Sequence, residues 1–154
     1  MSTELPKKVV AAGMLFHDER GRALLVEPTY KPLWEIPGGV VEALESPSAG
    51  ARREVLEELG LDITPGRLLA LDYSPPRDGR KQEVQIIVFD GGRLSDDQLR
   101  RIRLQEDEIA SYRFVEIAEA ERLLAPILAR RVKACLEALK TGETLYLEDG
   151  MPLP

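Results

Sequence analysis

The 154-residue chain has one cysteine, Cys135, so no disulfide can form within it. Cys135 lies in a helical pattern beside Leu136 and Leu139 and reads as a small buried thiol. There is one histidine, His17, beside a turn and without the neighbours a metal ligand needs, so it reads as a surface residue. Long apolar runs are absent. Met1 to Lys8 lacks the core of a signal peptide, and no segment approaches the length of a membrane span. A cytoplasmic protein with no membrane partner is expected. Positive charge is also scarce. Lys and Arg number 21 against 27 Asp and Glu, a net charge of −6. That argues against nucleic acid as a partner, which needs a basic face. It leaves small phosphorylated molecules open, because bound cations neutralise phosphate locally. The length suits a single domain over residues 1–154, large enough to bury a core without staples.

The pattern mixes strands and helices without strict alternation. Val9 to Phe16 reads as a buried strand, and Asp18-Glu19-Arg20-Gly21 as a turn. Arg22 to Val26 then reads as the returning strand of a hairpin. Trp34 and Ile36 suggest a short strand ended by Pro37-Gly38-Gly39. Ser46 or Ser48 caps a helix running to about Leu59, with Pro47 in its first turn and Gly60 as its stop. Leu68 to Tyr73, Val84 to Phe89 and Tyr112 to Val115 read as strands. Ile117 to Leu139 reads as a helix broken before Pro126, with a short tail after Gly142. The fold class is α/β, a mixed sheet with helices on both faces.

The helix before Gly60 carries the chemistry. At about 100° per residue, Ala51, Val55 and Leu59 share one face, while Glu54, Glu57 and Glu58 gather on another. Carboxylates at i, i+3 and i+4 are neighbours and repel, so stability alone does not ask for them. The plain alternative is a solvated acidic face. A hard divalent cation does ask for such a cluster: magnesium takes one or two carboxylates plus water and phosphate oxygens.

The spacing around these acids is specific. Five residues separate Gly39 from Glu45, seven separate Glu45 from Arg53, and Arg53-Glu54-Val55-Leu56-Glu57-Glu58-Leu59-Gly60-Leu61 follows. This resembles the Nudix box at all nine of its defined positions, Gly39 to Leu61, and Trp34-Glu35-Ile36-Pro37-Gly38 resembles the family's lead-in. The departure is Ala43-Leu44 before Glu45, where relatives usually carry a glycine. The resemblance implies an α/β/α sandwich with a loop-helix-loop catalytic motif. It implies a hydrolase dependent on Mg2+, or alternatively Mn2+, that cuts a phosphoanhydride bond. Glu54, Glu57, Glu58 and a backbone carbonyl, Gly38 rather than Gly39, would hold the metal. Arg53 would orient a glutamate with Glu45 behind it. The general base stays open among Glu54, Glu57 and an acid of the later loop, Glu106 or Glu108. A homodimer is compatible with the resemblance.

For the substrate, Pro75 and Pro76 follow the box at a distance resembling the ADP-ribose-cleaving branch, although paired prolines are usually turn formers. Arg77 and Arg80, with Lys81, are candidate phosphate grips, and Tyr73, Tyr30 and Trp34 candidate stacking partners. The expected substrate is a nucleoside diphosphate linked to another group, such as ADP-ribose or a nucleotide sugar. The alternatives are a nucleoside triphosphate, oxidised ones included, or a domain that senses a nucleotide without cutting it. An isomerase related to the family would need a cysteine near the acids, and Cys135 is poorly placed for that.

Overall fold

A computed structural model describes residues 3–77 and 79–154. The elements in chain order are β1 (Val9–Phe16), β2 (Ala23–Pro28), β3 (Gly38–Val40), α1 (Pro47–Leu59), β4 (Leu68–Ser74) and β5 (Val84–Gly92). They continue with α2 (Asp96–Arg101), β6 (Ile109–Val115), α3 (Ile117–Leu123), α4 (Pro126–Thr141), β7 (Leu145–Glu148) and β8 (Met151–Pro152). Six strands form one mixed sheet in the order β3-β1-β5-β4-β7-β8, with β1 parallel to β5 and β4 parallel to β7. β2 and β6 pair antiparallel as a separate ribbon.

The near-continuous apolar run of β1 has a physical reason, since both of its faces are covered. Met14 and Phe16 pack with Ala51, Val55 and Leu59 of α1, while Leu15 packs with Leu69, Val88, Val132 and Cys135 under α3 and α4. The result is an α/β/α sandwich with α1 on one face and α3 and α4 on the other. Pro126 breaks the last helical pattern in two, as its missing amide requires.

Three expectations are corrected. The turn after β1 forms, with the Asp18 carboxylate accepting from the Arg20 and Arg22 amides, but β2 does not return along β1. Both edges of β1 are occupied, by β3 and β5, so β2 leaves after one bridge at His17 and pairs with β6. The glycine pair does not end the third strand but forms it, Gly38 opposite Gly13 and Gly39 opposite Ala12. The tail after Gly142 is not a loose end. β7 adds to the sheet beside β4, and Leu147 is fully buried.

Candidate active site

The acids are aimed by the packing of α1. Ser46 caps the helix by accepting from the Ala49 amide, and Gly60 stops it in a left-handed conformation. Ala51, Val55 and Leu59 are fully buried and fix its rotation. Glu54 and Glu58 then lie on the flank that faces β3, and Leu56 points outward.

The glycine pair follows from close approach. A Cβ on Gly39 would sit 2.5 Å from the Glu54 carboxylate, and one on Gly38 would sit 2.5 Å from the Ala12 carbonyl oxygen. The backbone of β3 is therefore pressed between β1 and the acidic flank of α1, which only residues without a side chain allow.

Arg53 is the hub. Its guanidinium donates to both Glu45 oxygens at 2.7 and 3.0 Å, to Glu54 at 3.1 Å, to Glu57 at 3.3 Å and to the Val40 carbonyl at 3.2 Å. The two parallel bonds to Glu45 hold the fork in one plane. That pairing lowers the Glu45 carboxyl from its ordinary 4.5 to about 2.

Glu58 is the most buried of the α1 acids, 8% exposed, and its Oε2 has no hydrogen-bond partner. Burial, and next the charge of Glu54, push its carboxyl up to about 9, while the Gly38 amide pulls the other way. Glu54 is also raised, chiefly by burial and against the opposing Arg53. An orphaned buried carboxylate oxygen beside a second acid is a donor set that fits a hard cation. Glu57 is half-exposed and turned to Arg53. Among the described residues no three acids are drawn together into a ready cation cage. The Glu57 side chain is exposed, and exposed side chains change rotamer within nanoseconds.

Glu108 belongs to the loop that follows α2 and is tied to the end of α1. The Thr29 amide donates to its carbonyl at 2.9 Å, and the Gln105 amide donates to the Glu58 carbonyl at 3.2 Å, tying this loop to the end of α1. The Tyr30 hydroxyl is raised by burial and then by Glu35, with Glu108 and Glu58 adding to it, so the three acids share one electrostatic neighbourhood. Glu106 lies apart, lining a shallow surface depression with Arg103 and Leu104.

Tyr73, Arg77 and Arg80 are gathered elsewhere. The Tyr73 hydroxyl donates to Glu83 at 2.6 Å, Arg80 donates to Ser74 at 2.9 Å and to the Pro75 carbonyl at 3.0 Å, and Arg77 pairs with Asp149. In the sheet, the row through Gly38 crosses Gly13, Val88 and Ala70, whereas Tyr73 lies three residues further along β4. The separation is about 10 Å along the strands and about 14 Å across them. Trp34 packs against the core with the Arg113 guanidinium 4.9 Å over its ring. His17 is held by Asp90 at 3.0 Å, and burial pushes the Cys135 thiol up to about 12.

Sequence reading missed a cavity on the other side of the glycine pair. It lies between the sheet and α4, and Glu35, Ile36, Ile86, Leu128 and Arg131 are among its walls. The available signals were an aspartate, Asp72, inside the apolar strand Leu68 to Tyr73, and an arginine, Arg131, on the apolar face of a helix.

The NUDIX domain family model matches residues 7–135. A MutT-like protein of Streptomyces ambofaciens is 40% identical over 55 residues, 36% of this chain and 35% of its own length. A mouse (Mus musculus) diphosphoinositol polyphosphate phosphohydrolase 3-alpha is 37% identical over 89 residues, 56% of this chain and 53% of its own. The chain thus spans between about a third and about half of these curated relatives. The crystal structure of a MutT protein from Methanosarcina mazei Go1 superimposes with a TM-score of 0.69 at 26% identity, covering 90% of this chain and 99% of that one. With a family model matching most of the chain, this likeness in fold, and the acids of α1 set against a glycine pair and an arginine hub, the chain belongs to the NUDIX domain family.

Proposed function

We propose that the chain is a divalent-metal-dependent pyrophosphohydrolase that cuts the phosphoanhydride bond of a nucleoside diphosphate joined to another group, ADP-ribose or a nucleotide sugar. The observation that carries the reading is the Glu54–Glu58 pair, packed against Gly38 and Gly39 with a buried Glu58 oxygen left unpartnered, and braced by Arg53. Enzymes of this family generally use divalent cations. Magnesium or manganese would be held by Glu54, Glu58, Glu57 and the Gly38 carbonyl. When bound, the metal supplies a water of lowered pKa and charge neutralisation for the anhydride oxygens.

The chain's own residues do the rest. Arg53 holds Glu54 and Glu57 in orientation, and Glu45 holds Arg53. Glu57 is exposed enough to meet water and takes its proton as the water attacks phosphorus; Glu108, on the loop tied to the end of α1, is the alternative base. The leaving phosphate departs with the electron pair of the broken P–O bond. The loop with Arg77 and Arg80, beside Tyr73, meets the part of the substrate farthest from the cut.

The test is product analysis on a panel of ADP-ribose, nucleoside diphosphate sugars and nucleoside triphosphates with magnesium at mildly alkaline pH. Two monophosphates from a diphosphate-linked substrate support the reading. Pyrophosphate released from triphosphates alone replaces the substrate class. No turnover on the panel by folded, metal-loaded protein overturns the hydrolase.

A further inference from the structure

Around the acids of α1 the charge is one-sided. Glu35 adds its field to that on Glu58, and Glu35, Glu58 and Glu108 all act on the Tyr30 hydroxyl. The arginines named so far are committed elsewhere. Arg53 donates to Glu45, Glu54, Glu57 and the Val40 carbonyl. Arg80 donates to Ser74 and to the Pro75 and Gln82 carbonyls, and Arg77 pairs with Asp149. Both of these follow β4, three strands from β3. A diphosphate that reaches the acids brings further negative charge with it. The cation that shares the field of Tyr30 is Lys31.

Lys31 sits at the tip of a short loop between β2 and β3 that is anchored at both ends. At one end the Thr29 amide donates to the Glu108 carbonyl and the Thr29 hydroxyl to the Asp107 carbonyl, each at 2.9 Å. At the other the Trp34 amide donates to the Leu123 carbonyl at 2.9 Å, and Glu35 and Val26 exchange backbone bonds at 2.7 and 3.0 Å. The tip between these anchors is short, and Tyr30 and Leu33 on it are exposed. The Lys31 ammonium pairs with Glu35 and lies 5.6 Å from the centroid of the Tyr30 ring. The two side chains of that pair are 41% and 36% exposed, so water screens it and it holds the lysine only weakly. The backbone of the loop is fixed, and the long flexible stem of Lys31 is free to reorient within nanoseconds.

We propose that Lys31 is a phosphate-binding cation of this site: when substrate binds, its ammonium leaves Glu35 and donates to a non-bridging oxygen of the diphosphate. Glu35 is its counter-ion in the empty site and competes with the phosphate for it. An ammonium acts on phosphate as a point charge and needs no fixed plane, which suits a side chain at a loop tip. The plain alternative is a staple, in which the Lys31–Glu35 pair only holds the loop. The two differ in sign. A staple is lost whichever partner is removed, whereas removing Glu35 frees a competing ammonium and removing Lys31 deletes it. The inference rests on the proposed hydrolysis of a diphosphate and names a residue that grips it.

The experiment is calorimetric binding of inorganic pyrophosphate with magnesium to the full chain, beside KM and kcat on the substrate that the nucleotide panel identifies. Lys31→Met keeps the stem against Tyr30 and removes the charge, and is expected to weaken pyrophosphate binding about tenfold. In turnover the same loss should appear in KM rather than in kcat. Lys31→Arg should restore most of the affinity. Glu35→Gln should tighten pyrophosphate binding about threefold. In the double variant that gain should vanish, because no ammonium is left to free. Wild-type affinity in Lys31→Met overturns the inference. Weaker binding in both single variants overturns it in favour of the staple. A Glu35→Gln gain that persists in the double variant is plain relief of repulsion and overturns the competition. Opposite shifts in a protein that hydrolyses nothing would sink the hydrolase and leave the grip standing. Turnover that neither variant alters would do the reverse.

Discussion

Replacing Gly39 by alanine separates the stability of the fold from the positioning of the acids. The new Cβ would lie 2.5 Å from the nearer Glu54 oxygen, against an ordinary contact of 3.4 Å or more. The carboxylate must therefore retreat by about 0.9 Å, and misplacing a reacting or ligating group by about 1 Å costs on the order of a hundredfold in rate. The atom that must move is the end of a flexible side chain, so the fold loses little, about 1 kcal/mol or less. That corresponds to no more than about 4 °C in Tm for a domain of this size. The assay is steady-state turnover across a magnesium titration, with thermal unfolding on the same preparation. Expected are a kcat lowered about a hundredfold, a higher magnesium requirement and a nearly unchanged Tm. A folded Gly39→Ala protein with wild-type kcat would refute the claim that Glu54 works from this position.

Three more outcomes follow from the same geometry. Burial, and next the charge of Glu54, keep the Glu58 carboxyl protonated up to about pH 9, so magnesium binding at pH 7.5 should release close to one proton per site. Its affinity should rise with pH through that range; calorimetry in buffers of different ionisation enthalpy reads the proton, and Glu58→Gln should abolish its release. Glu45 is lowered from 4.5 to about 2, so its contribution to stability is full above pH 4.5 and fades as pH falls toward 2. In acid titrations Glu45→Gln should be less stable than wild type at neutral pH and equal to it near pH 2. Leu44 is fully exposed with φ of 64°, in the left-handed region. Leu44→Gly relieves about 1–2 kcal/mol of strain against about 0.5–1 kcal/mol of added chain freedom, so Tm should rise slightly, and a fall would contradict the strain.

Helix α1 was legible because its signals are local. A serine cap, a proline in the first turn, a glycine stop and an apolar stripe at helical spacing all lie within residues 46–60, and they set which side of α1 the acids occupy. The position of Glu45 against Arg53 was legible for a different reason, the fixed spacing of the motif. What remained hidden depends on chain segments far apart. Asp72 and Arg131 are 59 residues apart and meet only because β4 and α4 pack face to face. The departure of β2 from β1 is decided by β3 and β5 filling both edges first, which no pattern within β2 records. Leu44 marked its own place as an exception, since glycine is what the backbone there favours. Helix α2 had a readable signal that went unused, the reciprocal cap between Ser95 and Gln98.

The central claim is that the acids of α1 hold a divalent cation for phosphoanhydride hydrolysis. Its most direct test is magnesium-dependent turnover of Glu54→Gln, Glu57→Gln and Glu58→Gln beside the wild type, with circular dichroism to establish the fold. The account predicts that the wild type is active with magnesium and silent with EDTA. It predicts that each variant is folded and slower by at least about a hundredfold. Wild-type turnover in EDTA, or near-wild-type rates in all three variants, would contradict it.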